Sequence, residues 1–484
     1  MGLVGILVAL GLLVWLSFRG WSVLLLAPAV AIVAAAFAGE PLLAHWTQTF
    51  MVSAARFIAQ FFPIFLLGAL FGKLMDDSGS IQSIAQFMSG KLGERRAILA
   101  VVLAGALVTY GGVSLFVAFF VLAPMARELF RVANIPHRLM PAAIALGTST
   151  FTMSALPGTP AIQNTIPMPF FGTTPFAAPG LGILAAAIML AFGLWWLGRA
   201  EASARKSGEG YGGEAELRAG VLADDEFIRE RATSSHEFDP AEIGHGKRST
   251  VTPAIGAAAI PLLVVVVVNL AMSLLVLPRL DFSFLAEERW GSTSLAGVAG
   301  VWSVAVALAV ATATLVALNR ARLTDIRASM DAGANASVLP IFSVASLVGF
   351  GAVIAALPAF ALVRDWVLSI SGGPLVSLAI ATNVLAALTG SASGGLTIAL
   401  DALGSTYLKI AETAHIEPAL LHRIAVIGSG TLDSLPHNGA VVTLLAVCGS
   451  THRKSYFDMV MASIVGPIIA LAVVIVLGSM LGSF

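Results

Sequence analysis

The chain is 484 residues long, 58% hydrophobic and only 11% charged, with a mean hydropathy of +0.91, where an ordinary soluble domain is roughly a quarter charged. Its 27 basic and 27 acidic residues give a formal net charge of +0, so no global field points to nucleic acid. The apolar residues lie in runs of about 20, the length of a spanning helix and about twice that of a transmembrane β-strand, which excludes a soluble enzyme, a disordered chain, a coiled coil, a disulfide scaffold and a barrel, and leaves an all-α polytopic membrane protein.

Residues 3–18 open the series. No basic stretch precedes them and Arg19 follows, so they read as a retained span rather than a cleaved leader. Further clear spans cover about 22–38, 50–72, 177–198, 253–277, 293–318, 332–360 and 457–482. Lys73, Asp76 and Asp77 stand at the end of one of them and read as interfacial. Residues 97–129 and 366–408 are each too long for one span, and each is interrupted by a polar, glycine-rich stretch: Thr109-Tyr110-Gly111-Gly112 in the first, Thr389-Gly390-Ser391-Ala392-Ser393-Gly394-Gly395 in the second. Both read as re-entrant hairpins, because non-helical backbone at that depth survives only inside protein or against a water-filled cavity. Two other segments, 139–176 and 420–448, start helical and break at Pro157 and Pro436, since proline removes a backbone donor. Residues 199–252 form a long loop of mixed charge, read as solvated and partly disordered. The single cysteine, Cys448, sits in an apolar stretch and reads as a buried, inert thiol.

The two halves correspond. Phe62-Pro63-Ile64-Phe65 matches Leu339-Pro340-Ile341-Phe342, Gly111-Gly112-Val113-Ser114 matches Gly394-Gly395-Leu396-Thr397, and Leu156-Pro157 matches Leu435-Pro436, at offsets 340−63 = 277, 395−112 = 283 and 436−157 = 279. Lys and Arg at the segment ends place both flanks of the first hairpin and the 199–252 loop in the cytoplasm, and the flanks of the second hairpin outside. The expected architecture is therefore an inverted-topology repeat of about ten spans, two re-entrant hairpins and two broken helices. It divides into N-terminal scaffold spans (1–49), a first repeat (50–198), the polar cytoplasmic loop (199–252), scaffold spans of the second half (253–329) and a second repeat (330–484). Interrupted segments in matching positions of two halves mark the binding site of such transporters.

A half-helix starting at a hairpin tip offers free N–H groups and a positive dipole end, a ready site for a carboxylate. The candidate binding residues are Gly111, Gly112 and Ser114 at the first tip, and Ser391, Ser393, Gly394, Gly395 and Thr397 at the second. Thr159 and Asn164 beyond the first break and Asn438 beyond the second complete the set. The plainer alternative is that the glycines are helix-packing surfaces and the prolines simple kinks. Asp433 and His437 flank the second break and Asp401 follows the second tip; an ionisable residue within a span is a functional hypothesis by default, and these three are the candidates for proton coupling. Signatures of hydrolases, nucleotide-binding loops and metal sites are missing, so no enzyme activity, metal or cofactor is expected. An intramembrane hydrolase would have to use Ser434 with His437; a channel would not need enclosed broken helices.

The segments GTSTFTMSALPGTPAIQNTIP (147–167), LTGSASGGLTIALDALG (388–404) and SGTLDSLPHNGAVVTLLAVCG (429–449) resemble the gluconate:proton symporter (GntP) family of the ion transporter superfamily. The resemblance covers roughly 1–198 and 253–484, and LDSLPHNGAV is closer to hydroxybutyrate-permease-like members. It implies a bacterial inner-membrane symporter that imports a small organic hydroxymonocarboxylate, such as gluconate or hydroxybutyrate, with protons, working as a homodimer with a scaffold and a moving transport domain. A sodium-coupled carboxylate transporter or an anion exchanger is the alternative within that resemblance.

Overall fold

The computed structural model describes residues 2–19, 21–93, 96–212, 249–436 and 438–484. His437 and most of the polar loop, 213–248, lie outside the described residues. All regular structure among the described residues is helical, and six helices are long and apolar enough to cross a membrane: Leu42–Asp77, Pro179–Lys206, Ile255–Arg279, Leu295–Asn319, Ile326–Ala356 and His452–Leu481. Shorter apolar helices include Gly2–Leu16 and Val23–Ala38. The protein is thus a polytopic helical membrane protein, and every span read from hydropathy is a helix.

The helices run past the apolar blocks that announce them. Leu42–Asp77 is 36 residues long, about 54 Å at 1.5 Å per residue. Three long helices contain a turn of π-helix, at His45–Phe50, Met272–Val276 and Met461–Val465, where one residue is accommodated by widening a turn rather than ending the ladder.

Both interrupted segments are helix–turn–helix hairpins. Ala97–Tyr110 turns through Gly111–Ser114 into Leu115–Val132, and Gly373–Thr389 turns through Gly390 and Ser391 into Ala392–Ala414. At 14 residues, about 21 Å, the leg Ala97–Tyr110 is too short to cross about 30 Å of hydrocarbon. The turns need glycine at two points: Gly112 has φ +98° and Gly390 has φ +65°, a region where a Cβ is strained. Both proline segments are discontinuous. Helix Met140–Thr148 and a short turn at Phe151–Ser154 stop before Ala155–Ala161, and Pro418–Thr431 stops before Gly439–Cys448.

The hairpins and broken helices share one large apolar core with the inner faces of the long helices. Helix Leu42–Asp77 packs along Ile326–Ala356, and Ile255–Arg279 packs along Leu295–Asn319. A smaller core joins Gly2–Phe18 and Val23–Ala38 to Phe350, Val353, Ile354 and Leu357.

Candidate substrate cavity

Each hairpin tip is fastened to the break of its own half. In the first half the Tyr110 hydroxyl donates to Pro157 O at 2.8 Å, Thr109 Oγ1 lies 3.2 Å from Thr152 Oγ1, and a Cβ on Gly112 would stand 2.9 Å from Pro160 Cγ. In the second half, Asn438 Nδ2 donates to Gly390 O at 2.7 Å and to Asp433 Oδ1 at 2.9 Å, while Asn438 Oδ1 accepts from the amides of Ala440 and Val441. Asn438 therefore caps the helix after the break and holds the tip with the same side chain. The legs also pack on the broken helices through matching glycines. A Cβ on Gly147 would meet Val102 O at 2.3 Å, and one on Gly428 would meet Thr382 Oγ1 at 2.4 Å, at offsets 428−147 = 281 and 382−102 = 280.

A cavity of about 180 Å³ opens where these parts meet. The first tip supplies Thr109, Gly112 and Ser114; the first break supplies Pro160 to Gln163; the second tip supplies Ser393. The remaining wall includes Gly72, Lys73 and Asp76 of helix Leu42–Asp77 and the bend at Ser337 and Pro340 in Ile326–Ala356, and is otherwise mostly apolar, with Ile64, Phe65, Phe116, Val117, Leu308 and Val344. Ser114 is the N-cap of Leu115–Val132, and the first amides of that helix have no side-chain cap among the described residues. They carry the positive end of an 18-residue dipole into the wall.

Of the residues singled out in the sequence, Gly112, Ser114 and Ser393 line this cavity. Gly111 backs onto Leu262 of Ile255–Arg279, and a Cβ there would lie 2.1 Å from Leu262 Cδ2. Thr159 and Asn164 are fully buried and shape the break: Asn164 Nδ2 donates to Thr159 O and Pro175 O, both at 3.0 Å. Ser391 caps its helix by accepting from Gly394 N, and Thr397 donates to Ser393 O. Gly394 faces Leu347, and a Cβ on Gly395 would stand 2.2 Å from Ala386 N on the other leg, so these two glycines set helix packing. Asp433 and Asn438 lie at the second break beside the second tip, outside this cavity's lining, and Asp401 is exposed on the outer side of the second leg.

Lys73, Asp76 and Asp77 stand at the end of helix Leu42–Asp77. They are buried, with Lys73 Nζ 3.1 Å from Asp77 Oδ1, because the end of the helix packs against neighbouring helices. Sequence symmetry could not flag them, since at the offset of 277 their counterparts are Phe350, Val353 and Ile354. The signal was the spacing: positions i, i+3 and i+4 share a helix face.

His422 and Arg423 were also missed. Both are fully buried in Pro418–Thr431. The Arg423 guanidinium donates to Ala177 O at 2.7 and 3.1 Å and reaches Asn164 Oδ1 at 3.4 Å. His422 Nε2 lies 3.2 Å from Asn164 Oδ1 and Nδ1 lies 2.6 Å from Thr173 Oγ1, which suits a neutral ring with the proton on Nε2. A cation and a ring from the second broken helix thus hold the first break in shape. Their trace in the sequence is the pair His422-Arg423 inside LLHRIAVIG, an otherwise apolar stretch. On the polar flank of the first broken helix, Arg138 pairs with Glu209 and Asp458 at 2.8 and 2.5 Å. The hydrogen bond to Glu209 and the nearby carboxylates raise its pKa further, outweighing its partial burial.

Against known proteins, a family model described as citrate transporter matches residues 4–299. The transporter YxjC of Bacillus subtilis (strain 168) is 41% identical over 466 residues, 95% of each chain. The inner membrane permease YgbN of Escherichia coli (strain K12) is 38% identical over 71 residues, 14% of this chain and 15% of its own.

Proposed function

The chain belongs to the citrate transporter (CitMHS) family, and on that premise we propose that it is a secondary active transporter, not an enzyme, that imports a small organic hydroxycarboxylate together with protons by alternating access. The observation that carries this reading is the cavity itself. It is walled by the first hairpin tip, the first break and Ser393 of the second tip, with the capless helix start at Ser114 and the amine of Lys73 in its wall. An anion gains from that helix start. Lys73, paired with Asp77, and Asp76 also line or border the cavity. The motifs shared with the gluconate:proton symporter family make gluconate and hydroxybutyrate the first acids to test, and the family description adds citrate.

Coupling is assigned to Asp433, together with His437, with Asp401 next. Asp433 Oδ1 accepts from Asn438 Nδ2, which also donates to Gly390 O, so a proton on Asp433 would weaken its hold on the side chain that fastens the second tip. The matching glycine contacts at Gly147 and Gly428 support an inverted repeat. The remaining parts of the reading are a homodimer in the bacterial inner membrane with the 199–252 loop in the cytoplasm.

Uptake of radiolabelled gluconate, 3-hydroxybutyrate and citrate into proteoliposomes, with an imposed pH gradient or an imposed sodium gradient, tests the proposal. Accumulation driven by pH is the expected result. Accumulation driven by sodium alone, or only by a counter-anion, would replace the symport reading with the sodium-coupled carrier or the exchanger.

A further inference from the structure

We infer that Gln163 recognises the hydroxyl of the substrate through its side-chain amide, while the carboxylate lies at the helix start beside Ser114; this deepens the transport reading above and rests on it. Gln163 follows the first break, is 8% exposed and lines the cavity. Its amide has no hydrogen-bond partner among the described residues, yet neither of its polar atoms is sealed off. The polar side chains around it are all engaged within the break. Asn164 Nδ2 holds Thr159 O and Pro175 O, Thr165 Oγ1 donates to Ala161 O at 2.8 Å, and Thr159 Oγ1 accepts from Ala161 N at 3.3 Å. A nearly buried amide is costly to leave unpaired, so one left open toward a cavity is matched to what enters it.

Most of the cavity's other polar groups are already engaged: Thr109 Oγ1 donates to Gly105 O at 2.9 Å, Ser337 Oγ donates to Ala334 O at 2.7 Å, and Ser393 Oγ lies 3.2 Å from Ser391 Oγ. Ser114 differs, being exposed in the wall and making no cap bond to its own helix. The first tip and the first break meet between Gly112 and Pro160, so Ser114, two residues past the one, and Gln163, three past the other, come from adjoining parts of the wall. Their chemistry differs. A helix start offers only donors and suits a carboxylate. A primary amide offers an acceptor as well as donors. A carboxylate would leave that acceptor unmatched, whereas an alcohol donates and accepts and so matches both ends of the amide. A molecule with one carboxylate and a nearby hydroxyl satisfies both parts of the wall. One that lacks the hydroxyl strands the amide, which is the strongest ground for rejecting an otherwise similar ligand.

The plainer account is that Gln163 only keeps the cavity wet. The variant Q163M separates the two accounts, because it keeps the side chain's length and removes the amide, which holds nothing within the protein. Purified protein would be assayed by equilibrium binding of radiolabelled 3-hydroxybutyrate, gluconate and citrate, beside a thermal unfolding curve. Each acid would be set in competition with a counterpart that lacks hydroxyls: butyrate, hexanoate and tricarballylate. For an acid that binds, the wild type should prefer it over its counterpart. Q163M should unfold close to the wild-type midpoint and lower that preference at least about tenfold, chiefly through weaker binding of the hydroxy acid. Q163L should do the same, and it decides the matter if Q163M does not fold. A wild type without the preference, a Q163M protein that keeps it, or one that binds both members of a pair more weakly by the same factor, would overturn the role of Gln163 and leave the transport reading standing. A wild-type protein that binds none of the three acids would overturn the transport reading, and this inference with it.

Discussion

Asn438 joins the second hairpin tip to the helix after the second break. Replacing it by alanine removes the cap on Gly439–Cys448, about 1 kcal/mol. It also strips Gly390 O of a 2.7 Å donor and Asp433 of a 2.9 Å donor, each costing about 1–2 kcal/mol where the group is buried or charged. The expected loss is therefore roughly 3–5 kcal/mol, a shift of about 3–5 °C in the unfolding midpoint for a chain of this length. The protein carries its own reporter: its single cysteine, Cys448, is buried at the end of the helix that Asn438 caps. A thiol-reactive dye followed during a thermal ramp in detergent should report Asn438→Ala several degrees below wild type. Asn438→Ser, which keeps a capping acceptor without the donors, should recover about 1 kcal/mol of the loss. Uptake should fall with Asn438→Ala even at a temperature where the protein is folded, because the tip is released. An Asn438→Ala midpoint within 1 °C of wild type would refute the idea that this side chain fastens tip to break.

Gly112→Val and Gly395→Val should fail differently. The Gly112 variant should insert and run as a single species on size exclusion yet lose uptake, since its side chain enters at the cavity wall between Pro160 and Leu308. The Gly395 variant should give little monodisperse protein, since its Cβ collides with the backbone of Ala386; normal yield there would make the close leg packing dispensable. Arg423→Lys keeps the charge but not the fork that holds Ala177 O, and should cut the maximal uptake rate at least about tenfold while leaving membrane insertion intact; uptake equal to wild type would reduce Arg423 to a space-filling residue. Cysteines introduced between 213 and 248 should resist impermeant reagents in intact cells and react after permeabilisation, and labelling from outside would overturn the orientation read from the Lys and Arg residues.

Hydropathy made the spans legible because a helix that crosses hydrocarbon cannot hide its composition. The hairpins and breaks were legible because glycine and proline act locally, through φ and through a missing N–H. Site lining was legible only in part. Gly112, Ser114 and Ser393 declare themselves by standing at a turn, but Gly395, two residues from Ser393, faces the other leg, and nothing in SASGG tells the two roles apart. Helix phase decides that, and phase is fixed by packing. The burial of Lys73 and Asp77 was not legible because it is set by the neighbours of the helix end, which hydropathy does not record. His422 and Arg423 act across the molecule on Thr173, Asn164 and Ala177, about 250 residues earlier in the chain, which no local pattern records.

The guanidinium of Arg423 has a mechanical consequence. It belongs to the second broken helix, yet its partners are the carbonyl of Ala177 and the side chain of Asn164 at the first break. Each break is in turn latched to its own tip by Tyr110 or Asn438. Four elements are thereby yoked into one body. Swinging one tip open as a door would first have to unlatch it, and parting the two breaks would abandon a buried cation at a cost of several kcal/mol. A stroke that carries the whole body, with both tips and both breaks aboard, breaks none of these bonds. The surface that such a stroke would have to shear is the one between this body and the helices around it, not any of the latches.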